Sequence, residues 1–408
     1  MLYYDKGCAA LRPHLFQQEG MIAMKKRFLA ALMAVLMLGA VTGCSENGGS
    51  GDAGNSDTIR IGGLAPLTGD ASSYGVAVNN GVLMAVEDIN ADGGINGKQI
   101  EYIYYDEKGD ATEAVNAYNK LVQNDQVVAI IGDVTTKPTL AVAQQSQQDN
   151  IPIITASATA AEVTTTGPNI FRACFTDPFQ GELMASYASE KLGASTVAIL
   201  YDMADDYSSG IAEAFVAKAG ELGMTVVAEE KYQDGDVDFK SQLTNIKGQN
   251  PDVLFLPVYY EDLRLISAQA NEVGVTATLC GADGWDSVLT DNFDSSVLDG
   301  GVFCSQYSTE STDERVQNFI STYKEKYEMD PNMFAVLAYD ATYMMATAIE
   351  NAGSTDSQAI IDAMAALEYD GLTGHMTFDA DRNPQKSAVI VSIQDNAYKF
   401  VENYNPEA

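Results

Sequence analysis

The sequence predicts an α/β protein of two doubly wound lobes, each a parallel sheet covered by helices. Three observations carry this prediction. Short continuous apolar segments, such as residues 127–131 and 252–256, read as strands buried on both faces. Helical segments separate them at βαβ spacing, which implies parallel strands. The whole pattern runs once from Thr58 and restarts after Asp177-Pro178.

In the first unit, residues 58–64 read as a strand followed by a Pro/Gly loop, and 76–90 as a helix. The turn Ala91-Asp92-Gly93-Gly94 stops that helix. Strand 100–105, helix 111–124, strand 127–131, helix 138–148 and strand 151–154 complete it. The second unit begins with strand 196–201, helix 209–222, strand 225–229 and helix 239–248. Strand 252–256, helix 261–273 and strand 276–280 follow. After a strand at 301–304 come helices 315–328 and 332–351, then strands near 376–378 and 389–393.

The N-terminus reads as a targeting segment. Lys25, Lys26 and Arg27 follow Met24, and an apolar run at 28–41 is too short to span a bilayer comfortably. Val41-Thr42-Gly43-Cys44 has the shape of a lipobox, in which Cys44 becomes the lipidated first residue. Residues 1–43 are therefore read as an upstream extension plus signal peptide, with Met24 the initiator. Residues 44–57, rich in Gly, Ser, Asn and Asp, read as a flexible tether.

Net charge and cysteine usage narrow the function. A formal charge of −34 opposes binding to nucleic-acid phosphates or anionic lipid and fits a solvated acidic surface. Beyond Cys8 and Cys44 remain Cys174, Cys280 and Cys304, which allow one pair with a free thiol or three buried thiols.

Enzyme signatures are missing. His375 in a Gly-rich turn cannot by itself furnish a Ser-His-Asp or Cys-His centre. There is no P-loop, and Asp92-Gly93-Gly94-Ile95-Asn96-Gly97 follows a helix rather than a strand, unlike a dinucleotide fingerprint. No Cys/His cluster has zinc spacing. No catalytic residue, metal or cofactor is expected. A secreted α/β enzyme is a third reading, which the missing nucleophile–base pair disfavours.

Ligands of open parallel sheets sit beyond the carboxyl ends of the strands. Three loops stand there. Residues 132–138 lead into a helix whose N-terminus, with Thr135 and Thr136, could cradle a carboxylate; the threonines could equally just cap the helix. In 155–162, Thr159 and Glu162 could form a capping box, while the small residues would admit a ligand to the backbone. In 280–286, Asp283-Gly284 could be a plain turn and Trp285 core packing. An acid beside an aromatic also suits an ammonium group.

The stretches IGGLAPLTGDASSYG, ADGGINGK, YYDEKGD, IIGDVTTKPT, IPIITASATAAEVT and FRACFTDPFQG together resemble the leucine/isoleucine/valine-binding proteins. These are type I periplasmic-binding-fold receptors of branched-chain amino acid ABC importers. The resemblance runs over nearly all of 58–400. It implies two lobes joined by three crossing strands, near 174–177, 303–306 and 375–378. Lobe one would comprise 58–174 and 307–374, and lobe two 175–306 and 375–402.

The resemblance also implies a site. Thr136, with Thr135 beside it, matches the carboxylate-binding hydroxyl. Ser157, Ala158 and Thr159 match the contacts to the amino acid head, and Asp283 the acid that binds the ammonium. Tyr74, Tyr207, Tyr259 and Phe334 match the aromatic contacts, and Trp285 is expected to shape the side-chain pocket. Two departures stand out: Asp283 where some relatives carry glutamate, and Lys137-Pro138 where they carry serines. Cys174 and Cys304 fall on crossings and are expected close together, within bonding range.

The implied function is capture of a small amino acid by a monomer held by lipid to the outer face of the cell membrane. The solute would pass to the transmembrane subunits of an ABC permease. A sensor on the same fold, signalling to a membrane partner, is the alternative.

Overall fold

The computed structural model describes residues 58–289 and 293–405. The signal segment, Cys44 and the tether lie outside the described residues.

The first unit runs β1 (Thr58–Ala65), α1 (Ser72–Ala91), β2 (Gln99–Asp106), α2 (Ala111–Gln123), β3 (Ala129–Ile131), α3 (Thr136–Asp149), β4 (Ile153–Thr155), α4 (Glu162–Thr165) and β5 (Ile170–Arg172). Its strands are parallel in the order β2-β1-β3-β4-β5. β3, β4 and β5 are buried throughout; β3 is wholly apolar, and β4 and β5 end in the buried polar residues Thr155 and Arg172.

The second unit runs α5 (Asp177–Glu190), β6 (Thr196–Asp202), α6 (Asp206–Glu221), β7 (Thr225–Tyr232), α7 (Lys240–Gln249), β8 (Val253–Leu256), α8 (Tyr260–Val273), β9 (Thr278–Gly281) and β10 (Val302–Ser305). The chain then forms α9 (Glu314–Tyr327), α10 (Met333–Ala352), α11 (Ser357–Ala365), β11 (Glu368–Gly371), β12 (Gly374–Thr377), β13 (Ala388–Gln394) and β14 (Ala397–Tyr404). The second sheet is ordered β14-β13-β10-β9-β8-β6-β7. Its parallel part, β7-β6-β8-β9-β10, repeats the strand order of the first sheet. β13 and β14 extend it antiparallel, so this sheet is mixed rather than purely parallel.

In each order the chain starts at an inner strand and winds outward both ways. A crevice therefore opens at the carboxyl ends of β1 and β3 in one sheet and of β6 and β8 in the other. This repeated switch point positions the site. α10 returns from the second unit to pack on α1 of the first. Their approach depends on Gly81, where a Cβ would stand 2.2 Å from the Ala335 carbonyl oxygen.

Helix α5 has no counterpart in the sequence reading. Leu183, Met184, Ala185, Tyr187 and Ala188 are all buried, and the buried positions cover the helix without an amphipathic stripe. The usable signal was at its start, where the Thr176 side chain accepts from Phe179 N and Pro178 occupies the first turn.

Two expectations are corrected. Residues 375–378 were expected as a crossing strand. Instead β12 pairs antiparallel with β11 in a separate hairpin, and the chain rejoins the seven-stranded sheet only at Ala388. Gly371 and Gly374 close that turn, which the apolar pattern around Met376 does not reveal. Cys174 and Cys304 form no disulfide: both thiols, and that of Cys280, are free and buried. The Cys174 thiol donates to the Ala158 carbonyl at 3.4 Å and the Cys304 thiol to Gln180 Oε1 at 3.3 Å. Each sulfur already has a polar partner in place of the other.

The lobes are tied where the chain passes between them. Gln306 Oε1 accepts from Phe175 N at 3.2 Å, joining the segment after β5 to the segment after β10. Lys386 Nζ donates to the Ala173 carbonyl at 2.9 Å and to Thr373 Oγ1 at 2.6 Å.

Candidate functional site

A small cavity lies between the two crevices. Lobe one lines it with Tyr74, Val134, Thr135, Thr136, Ser157, Thr159 and Phe334. Lobe two contributes Tyr207, Tyr259, Asp283 and Gly284. All but Phe334, which is carried by α10, stand at a strand's carboxyl end or on the helix that follows, as the winding of the sheets dictates.

The floor from lobe one is hydroxyl-rich. α3 begins at Thr136, and the Thr135 side chain makes no capping hydrogen bond. The Thr136 Oγ1 is buried and without a hydrogen-bond partner. Neither threonine therefore caps the helix; one polar group is held unpaired at its positive end. Ser157 is oriented by donating to the Val134 carbonyl at 2.8 Å. Thr159 forms no capping box with Glu162, because α4 starts with Ala161 at its cap position and no side chain caps it.

Lobe two supplies an acid set in an aromatic frame. Asp283 is buried and accepts from the Tyr207 hydroxyl at 2.8 Å through Oδ1. Its backbone N donates to Gln180 Oε1 at 3.0 Å. Burial pushes the Asp283 carboxyl up to about 7, and the hydrogen bonds from Tyr207 and Gly284 only partly offset this. Among the described residues lining the cavity, Asp283 is the one charged side chain. Tyr207 and Tyr259 stack with ring centroids 4.5 Å apart, and Tyr74 lies against Phe334 at 4.3 Å. An acid without a cation, walled by aromatic rings, is chemically matched to an ammonium group supplied from outside.

The expected site residues divide in two. Tyr74, Thr135, Thr136, Ser157, Thr159, Tyr207, Tyr259, Asp283 and Phe334 come together around the cavity. Ala158 and Trp285 do not line it. The Ala158 carbonyl is occupied by Arg172 Nη1 at 3.0 Å and by the Cys174 thiol, and its N–H donates to Thr155 Oγ1. Trp285 is fully buried behind the loop. Its Nε1 donates to the Leu256 carbonyl at 2.8 Å, and its ring packs where a Cβ on Gly281 would fall, so it is core. Val134 and Gly284 also line the cavity and were missed. Their side chains carry no chemistry to single them out, and only the chain path brings them in.

Comparison with known proteins shows the family of the chain. The family model for periplasmic binding proteins matches residues 58–397. The leucine-, isoleucine-, valine-, threonine- and alanine-binding protein of Pseudomonas aeruginosa is 30% identical over 79% of this chain and 86% of the relative. Crystal structures give the same picture. The branched-chain amino acid substrate-binding protein LivJ of Streptococcus pneumoniae, solved with isoleucine, is 33% identical with a TM-score of 0.80. The match covers 86% of this chain and 100% of that one. The leucine-binding protein LivK of Thermotoga maritima is 31% identical with a TM-score of 0.80, covering 85% of this chain and 99% of that one. With its paired crevices and its family match over most of its length, the chain is a solute-binding member of the periplasmic binding protein family, among the leucine/isoleucine/valine-binding proteins.

Proposed function

We propose that this protein captures a small neutral amino acid by closure of its two lobes and delivers it, as a lipid-anchored monomer outside the cytoplasm, to an ABC permease. Lobe one is assigned to residues 58–174 and 307–377, which keeps the β11–β12 hairpin whole, and lobe two to 175–306 and 388–404, where the chain rejoins the second sheet. One observation carries the ligand assignment: Asp283 is a buried acid with no cation among the described residues around its cavity, on the same cavity as the unpaired Thr136 hydroxyl at a helix N-terminus. A zwitterion satisfies both. Its ammonium pairs with Asp283, and its carboxylate takes the Thr136 hydroxyl and the end of α3. Ser157 and Thr159 hold the head group, and the rings of Tyr74, Tyr207, Tyr259 and Phe334 cover the side chain.

Binding of this kind adds to the stability of the folded state. A thermal-shift screen of the twenty amino acids is expected to raise the melting temperature with small neutral members. A ligand at a thousandfold excess over its dissociation constant adds about 4 kcal/mol. Lysine and glutamate are expected to have no effect, because the cavity offers no partner for a second charge. Stabilisation by charged amino acids alone would reject the assignment.

A further inference from the structure

Met333 N and Asn332 Nδ2 of lobe one bond Asp286 Oδ2 and Ser287 Oγ of lobe two at 2.7 and 2.8 Å, and beside the cavity a single lobe-one hydroxyl makes two further bonds across the cleft. Tyr74 lies in the first turn of α1, and its OH donates to the Gly284 carbonyl at 2.5 Å and accepts from Tyr260 N at 3.0 Å. Both partners are main-chain groups of lobe two, one in the 3₁₀ turn after β9 and the other at the first residue of α8. Neither bond uses a group that a solute would supply. Ser73 N adds a longer link, 3.4 Å to the Tyr260 hydroxyl.

Both sides of this joint are stiff. Behind Tyr74, Gly75 packs so closely on the end of β1 that a Cβ there would stand 2.0 Å from the Pro66 carbonyl oxygen. Across the cleft, a Cβ on Gly284 would stand 2.6 Å from the Tyr207 hydroxyl and 2.8 Å from the Val258 carbonyl oxygen. The Tyr74 ring is held by Phe334 on one side and by the Tyr260 ring, edge-on at 4.8 Å, on another. A rigid post meeting a rigid catch makes both bonds at one closure angle only. Opening breaks them together and returns each group to water.

We propose that Tyr74 is the closure latch of this protein: its hydroxyl draws the lobes together before any solute is bound, sets the closure angle and slows solute release. The inference rests on the two-lobed capture described above. Its ring lines the cavity, while its hydroxyl is a positioning group that acts on the lobes. The catch belongs to the Asp283-Gly284 dipeptide, so the acid assigned to the solute's ammonium and the acceptor of the latch move as one piece.

Tyr74→Phe tests this directly. The substitution removes one oxygen and keeps the ring packed on Phe334, so the open form loses no contact. Small-angle X-ray scattering of the ligand-free protein and stopped-flow dissociation of leucine are the two readouts. The ligand-free variant is expected to have a larger radius of gyration than wild type. Leucine release is expected to quicken roughly thirtyfold, the loss of two ordinary hydrogen bonds. Superimposable ligand-free scattering curves with unchanged release would overturn the latch. Failure of the amino acid assignment looks different: wild type then binds no leucine, while the ligand-free scattering difference remains.

Discussion

Replacing Asp283 with alanine is expected to weaken amino acid binding by at least about 2 kcal/mol, roughly thirtyfold. The size follows from burial. The solute's ammonium has left water, and among the cavity-lining residues described only Asp283 carries a compensating charge. Tyr207 and Gln180 would remain to offer hydrogen-bonding groups, but neither carries charge. Asp283→Asn keeps the shape and most of the packing, so it separates the loss of charge from the loss of a wall. Both variants are expected to lose affinity to a similar degree, because charge pairing is what the solute requires. Isothermal calorimetry at pH 8, where wild-type Asp283 is ionised, measures the effect. An alanine variant that binds as tightly as wild type removes Asp283 from the site.

Affinity is also expected to fall about a hundredfold between pH 8 and pH 5, and the Asn variant is expected to lose this dependence. In the empty cavity, burial holds the Asp283 carboxyl near 7. An incoming ammonium needs the ionised form and lowers the carboxyl's pKa once bound. Binding therefore releases a proton below pH 7, and affinity drops about tenfold for each unit of further acidification. The neighbouring acids do not cancel this. Asp177 is pushed well above the ordinary carboxylate range by burial and does not line the cavity. Asp286, pushed up to about 6 by burial, accepts from Met333 N and Ser287 N and does not line the cavity. Stability of the ligand-free protein should run the other way. A folded-state pKa raised above the unfolded value gives a contribution that is full below about pH 4 and is lost as pH rises through 7. Opposite slopes for ligand-free melting temperature and for affinity are the signature. Calorimetry in buffers of different ionisation enthalpy counts the released proton, and a pH-independent dissociation constant would contradict the assignment.

Much of the architecture was legible because alternation is a local signal. Strands such as Val253–Leu256 are short apolar runs that a two-sided sheet must bury, and the helices between them end at readable turns. α5 was not legible because it is buried around its circumference, which erases the 3.6-residue stripe. The β11–β12 hairpin was not legible because Tyr369 and Met376 are the inward apolar residues of strands only four residues long. The site was legible in part by chemistry and in part by family resemblance. Loop position after strands pointed to Thr135, Thr136 and Asp283, while Tyr74, Tyr207, Tyr259 and Phe334 entered through the resemblance alone. Trp285 shows the limit of residue type as a guide. It follows the acid by two positions, yet the short 3₁₀ turn at Asp283–Trp285 points one side chain to the cavity and the other into the sheet.

The central claim is that the cavity reads both ends of a zwitterion, the ammonium at Asp283 and the carboxylate at Thr136. Calorimetry of wild type with leucine, leucine amide and N-acetyl-leucine tests it most directly. Leucine is expected to bind one-to-one. The amide lacks the negative charge for α3 and the acetylated form lacks the positive charge for Asp283, so each is expected to bind at least about thirtyfold more weakly. Binding of N-acetyl-leucine as tight as that of leucine would contradict the account.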